Sequence, residues 1–268
     1  MVDGVLFGLE RGESVFCPHP SLMVFIDETG HEALSDPTYP FFGYGGCLSY
    51  SGEYEKFIGK PWKDVERAFS GYTLPLHAGE LNPGDLTGPQ KAALKRFFED
   101  NVFGRFASVC SNRTVRVNAA EDIIFYTIMD VHHRIGEILL KMLETGLVFG
   151  EIFMFIEHSE RTADKIVDYF SRCKIGVGFQ EDPAQEIQVY HYFIKKALNE
   201  PGLVVADFIA HTAGTTVRST HIGNAANYLA RVDFKSVFRP KDARWASFKE
   251  VTEIKWEPEP EKVESREE

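Results

Sequence analysis

The sequence predicts an α/β fold, a mixed sheet flanked by helices, on three observations. Residues 22–27 and 151–156 are nearly continuous apolar runs, each closing on an acid (Asp27 and Glu157), and such runs read as strands covered on both faces. Residues 41–50 form a second glycine-containing strand that pairs with the first across a polar loop, making a hairpin. Helical periodicity then alternates with further strand-like segments, the order expected of a mixed sheet with helices on both faces.

The elements follow in sequence. Residues 1–20 carry no clear pattern and are expected to be irregular. After the 22–27 and 41–50 strands come helices over 52–69 and 88–100. Between them, residues 70–87 are rich in Gly and Pro and read as a loop. Residues 105–110 make a third strand. A long helix over 119–144 sets Ile123, Ile124, Ile128, Val131, Ile135, Ile138, Leu139 and Met142 on one broad apolar face. After the 151–156 strand come a helix over 160–174, a short last strand over 186–192, and a helix over 203–217. From about residue 256 the chain alternates Glu and Pro with little apolar content. Residues 1–252 are therefore expected to form a single domain and 253–268 an acidic, disordered tail.

The chain has 268 residues, 44% hydrophobic and 26% charged, enough for a sizeable core. Its formal net charge is −11, of which −4 falls in the tail. That balance argues against tight nonspecific duplex binding, which needs Lys and Arg against phosphate. It does not exclude a nucleic-acid partner, because a carboxylate-rich metal site adds negative charge that bound cations cancel. Cys17, Cys47, Cys110 and Cys173 lie far apart with no CxxC, so neither a zinc site built on cysteine pairs nor a disulfide framework is expected. Charges near the start break any signal-peptide core, and no run of about 18 apolar residues appears. A cytoplasmic protein with no membrane partner is expected.

Three acids sit where burial is costly. Asp27 and Glu157 close the two apolar strands, and Asp207 lies inside the almost wholly apolar stretch from Leu203 to Ala210. A lone buried carboxylate costs several kcal/mol unless it is paired, protonated or metal-bound. Strand-end acids can also cap a helix or pair with Arg, and Asp207 can instead form a buried salt bridge. If the three share a solution, Mg²⁺ or Mn²⁺ is the natural partner, since both favour oxygen ligands. Two such ions about 4 Å apart activate water and stabilise a leaving oxygen in phosphodiester hydrolysis. Glu80 is a fourth candidate ligand. His77, three residues before it, is a candidate proton shuttle, though an ordinary loop His and a solvated Glu fit equally. Glu28 should face away from Asp27. His211, one turn beyond Asp207, reads as packing, and His132-His133 as surface or core filling.

These residues carry a resemblance. Phe25-Ile26-Asp27-Glu28-Thr29-Gly30 resembles the opening "(Y/F)IDESG" of the domain of unknown function 3800 family. Phe42-Gly43-Tyr44-Gly45-Gly46-Cys47 is similar to its second strand, and Leu76-His77-Ala78-Gly79-Glu80-Leu81 to its "HA-x-E-L" segment. Gly202 to Ala210 resembles its "GLQxADxxA" helix. Together the motifs run from about residue 22 to 215. The resemblance implies a ribonuclease H-like fold and a metal-dependent nuclease acting on RNA or DNA. Two positions depart from the pattern: Thr29 stands where the family has Ser, and Val204 where it often has Gln.

A divalent-metal nuclease using Asp27, Glu157, Asp207 and Glu80, with His77 moving protons, is thus the expected function. A noncatalytic domain of the same fold that binds a protein or nucleic acid is the alternative, favoured by the acidic balance and Val204. An enzyme on a small phosphorylated substrate is a third. No GxxxxGK phosphate loop is present. Arg113, Arg116, Arg231, Lys235, Arg239, Lys241 and Arg244 are candidates for a local basic path along a bound strand.

Overall fold

The structure is a computed structural model and describes residues 3–9, 12–34, 36, 38–111, 120–144, 146–158, 163–173, 175–177, 185–195, 199–218 and 252–253. A hairpin of β1 (Gly4–Gly8) and β2 (Ser14–Pro18) comes first. Then follow β3 (Leu22–Gly30), β4 (Phe41–Tyr50), α1 (Ser51–Tyr54) running through a π-helical turn into α2 (Lys60–Ala68), and α3 (Gly88–Asp100). Next are β5 (Gly104–Ser111), α4 (Ala120–Glu144), β6 (Ile152–His158) and α5 (Ala163–Arg172). The pair β7 (Gly176–Val177) and β8 (Gln185–Glu186), then β9 (Val189–Lys195), α6 (Pro201–Val217) and β10 (Thr252–Glu253) complete the order.

The main sheet runs β10-β5-β4-β3-β6-β9. β4 is antiparallel to β3 and β5, while β6 is parallel to β3 and β9 parallel to β6. The α/β class and the mixed sheet follow the expectation; β3 lies at the centre, beside β6. β3 can occupy that position because Leu22 to Ile26 are all fully buried, leaving no polar face to turn to water.

Three segments differ from expectation. Residues 1–20 contain a hairpin; its strands show only a partial alternation of burial, with Leu6 and Phe16 exposed, so periodicity does not mark them. Yet Phe7 stacks on Phe155 at 3.9 Å, pinning the hairpin to the sheet. The last strand of the parallel set is β9, three residues later than expected. The expected tail begins inside β10, with Glu253 beside β5, and residues 254–268 lie outside the described ones.

The sheet has two unlike faces. α4 and α5 cover one, and the eight apolar α4 residues named above are all buried there. α3 starts at a capping box in which the Thr87 hydroxyl accepts from the Gln90 amide and the Gln90 side chain accepts from the Thr87 amide. α6 lies on the other face, close against β3 and β4. A Cβ at Gly45 would stand 2.5 Å from Ala210 Cα, and one at Gly202 would stand 2.6 Å from the Phe25 ring. Gly45 on β4 and Gly202 on α6 therefore permit a close approach of helix and sheet. The start of α6 is anchored by the buried Tyr54 hydroxyl, which donates to Glu200 and accepts from the Gly202 amide at 3.1 Å. Burial raises the Glu200 carboxyl above its ordinary range.

Candidate metal centre

The strand register assembles the first part of the site. β3 and β6 run in parallel with Phe25 opposite Phe155 and Ile26 opposite Ile156. The Phe25 and Phe155 rings, on one face, stack with centroids 5.2 Å apart. Side chains alternate along a strand, so Asp27 and Glu157, two residues further along, stand side by side on that same face. It is the α6 face, because Gly45, the partner of Asp27 on β4, meets Ala210, and Thr29 meets Gly214. Both carboxylates are nearly buried, Asp27 at 3% and Glu157 at 7% exposure. The Asp27 Oδ1 accepts from the Glu28 amide at 2.7 Å. Phe7, Phe25, Phe155 and Tyr192 form an aromatic floor on the same face, one step nearer the strand starts.

Asp207 supplies a second part. It is half-buried on α6, and its Oδ2 accepts the Ala78 amide at 2.7 Å. His77 Nδ1 lies 4.0 Å from the same oxygen. His211, one turn on, packs near Gly79, whose added Cβ would be 3.7 Å from the imidazole. Asp207 thus ties the 77–80 segment, which includes a single 3-10 turn over Ala78–Glu80, onto α6. Glu80 itself is exposed.

The predicted residues are therefore brought together in two groups. Asp27 and Glu157 are joined by register, and Asp207 and His77 by the Ala78 tether. As the side chains stand, no three His, Cys, Asp or Glu among the described residues are close enough to hold one ion. Val204 is buried at 4% exposure and contributes packing. Glu28 lies on the opposite face, as alternation requires, across from Tyr44. Burial, followed by the charges of Glu28, Glu32 and Asp27, holds the Tyr44 hydroxyl well above its ordinary range, so it stays protonated. The seven candidate basic residues lie outside the described ones.

Sequence reasoning missed the Ala78 amide as the partner of Asp207. A backbone donor 129 positions away leaves no local mark.

No protein-family model and no curated protein sequence matches this chain. Among the described residues, no helix is long and apolar enough to cross a membrane.

Proposed function

We propose that this protein is a divalent-metal-dependent nuclease with a ribonuclease H-like fold, of the kind its motif resemblance to the domain of unknown function 3800 family implies. The observation that carries this reading is the placement of Asp27 and Glu157 side by side just past the last paired residues of β3 and β6, toward the C-terminal side of two adjacent parallel strands. That is where open α/β sheets hold their ligands. Two nearly buried carboxylates on neighbouring strands repel each other, and a cation between them offsets that repulsion. The donor set fits Mg²⁺ or Mn²⁺, which are commonly held by one or two carboxylates, with waters and substrate phosphate oxygens filling the remaining positions. Bound there, the ion would supply an activated water and charge stabilisation for a leaving phosphate oxygen.

The chain's own residues then have distinct tasks. Asp27 and Glu157 hold the ion. Asp207 fixes the 77–80 segment through the Ala78 amide and keeps the His77 ring beside its carboxylate. His77, partly exposed at the edge of this contact, is the group able to pass a proton to or from solvent near neutral pH. The aromatic floor keeps water from the lower side of the carboxylate pair.

A second reading, a noncatalytic domain that binds a protein or nucleic acid, is favoured by one observation: no three metal-ligating side chains stand together among the described residues. One experiment separates the two. The purified protein is incubated with labelled single-stranded RNA and DNA pools in millimolar Mn²⁺, beside Asp27→Asn and Glu157→Gln, while thermal unfolding is followed with and without the metal. The nuclease reading expects cleavage that both variants lose, and an increase in Tm with Mn²⁺ that Asp27→Asn abolishes. Cleavage persisting in both variants marks a contaminant and overturns it. A Tm unmoved by the metal, with no cleavage, favours the noncatalytic reading.

A further inference from the structure

The face of the sheet away from α6 carries a second group of ligand atoms, built from elements the sequence keeps far apart. His132 lies on α4 at 5% exposure. Its Nδ1 meets the Ile128 carbonyl at 2.8 Å, so Nδ1 carries the proton and donates. That leaves the Nε2 lone pair inside the protein, buried and without a hydrogen-bond partner among the described residues. His191 lies on β9, its ring centroid 6.3 Å from that of His132. Its Nε2 is likewise buried without a partner among the described residues. Met154, fully buried on β6, is the direct cross-strand neighbour of His191. Paired residues on adjacent strands share a face, so its thioether side chain stands next to that of His191 on this face. Phe170 packs against both rings, at 5.3 and 6.2 Å.

A buried imidazole lone pair without a donor forgoes a hydrogen bond. Two of them with a thioether alongside make an N₂S donor set, which is neutral and soft. Such a set disfavours Mg²⁺ and Ca²⁺ and suits a soft, singly charged ion, whose transfer into an apolar site costs least. With metal–nitrogen bonds of about 2 Å, two imidazoles on one ion in a near-linear arrangement have centroids about 6 Å apart, close to the separation seen. Among the described residues β9 is the outermost strand on its side of the sheet, and His191 is only partly buried, so the edge offers an entry path.

We propose that His132, His191 and Met154 form a binding site for copper(I), separate from the carboxylate site and on the opposite face of the sheet. Burial holds both imidazoles below their ordinary range, His191 at about 4 with the neighbouring His132 contributing, so near pH 7 no proton competes with the metal. The site binds the ion; it performs no electron transfer in this proposal.

The test titrates the full-length reduced protein anaerobically with Cu⁺ held by bicinchoninate, whose colour reports the copper it retains. The wild-type protein is expected to withdraw one equivalent. His191→Leu and Met154→Leu should each weaken that binding at least tenfold, whereas Cys173→Ser, which removes the most accessible thiol, should leave it unchanged. Far-UV circular dichroism checks folding. Met154→Leu conserves volume and keeps the test valid should His191→Leu fail to fold. No copper withdrawn by the wild-type protein overturns the proposal. So does copper retained equally by both site variants, or lost on Cys173→Ser alone. None of these outcomes depends on nuclease activity.

Discussion

The two faces of the central sheet handle polar groups in opposite ways. On the α6 face, the acids Asp27 and Glu157 sit at the strand ends, and glycines let the helix backbone come against the sheet. On the α4–α5 face, His132, His191 and Tyr44 lie among apolar and aromatic side chains, and large residues keep the helices at full side-chain distance. The first face tolerates charge because its carboxylates lie at the end of the core. The second keeps its imidazoles neutral because they lie within it. Backbone closeness is therefore the constraint on one side, and protonation state the constraint on the other.

The sharpest way to break this comparison is to fill the gap under α6. Gly45→Val places carbon atoms inside contact distance of the Ala210 backbone, which cannot yield as a flexible side chain would. A loss of about 3 kcal/mol or more is expected in urea unfolding. A near-neutral result would show that α6 does not pack as described.

The tether at Asp207 gives the next largest effect. Asp207→Ala removes the acceptor of the Ala78 amide, with an expected cost of about 1–3 kcal/mol. Asp207→Asn keeps an acceptor oxygen and should cost less than half as much. Hydrogen exchange at the Ala78 amide reads the difference directly, and equal protection in wild type and Asp207→Ala would remove Asp207 from this role.

The second face predicts a pH signature. Folded His191 titrates at about 4, below the ordinary 6.5, so between these values the unfolded chain binds more protons than the folded one. Stability is then full above pH 6.5 and falls as the pH drops toward 4. The contribution is on the order of 1–2 kcal/mol once the partial exposure of His191 is allowed for. Subtracting the pH–stability curve of His191→Leu from that of wild type should isolate this slope. Parallel curves would count against a buried neutral His191. Glu200, whose carboxyl is raised by burial, acts with the opposite sign and cancels in that subtraction.

The smallest effect lies outside both faces. Leu6 and Phe16 are cross-strand partners on the exposed side of the first hairpin. Leu6→Ser should shift the unfolding midpoint by no more than about 0.5 kcal/mol. A larger shift would mean that this side is covered in solution.

What the sequence revealed and what it hid follow one physical line. β3, β6 and α4 were legible because burial writes an unbroken or periodic apolar pattern into consecutive residues. Asp27 and Glu157 stood out because each acid ends such a run. The β1–β2 hairpin was hidden because its hold on the core rests on a few isolated residues, chiefly Phe7 and Cys17, and not on a repeating apolar pattern. The Ala78 tether and the His132–His191 approach were hidden for a different reason. Each joins residues with no shared local pattern, 129 and 59 positions apart, and only the topology brings them together. His132 therefore reads in sequence only as surface or core filling, since nothing nearby in sequence points to β9.

The register of β3 against β6 has one further consequence. Backbone hydrogen bonds between the two strands, not the carboxylates themselves, decide that Asp27 and Glu157 are neighbours. A slip of one residue in that ladder would turn Glu157 through the sheet to the side of His191 and bring Ile156 or His158, according to direction, level with Asp27. The carboxylate pair is thus an all-or-none property of strand alignment. A one-residue insertion or deletion within either strand would separate the two acids without altering a single ionisable side chain.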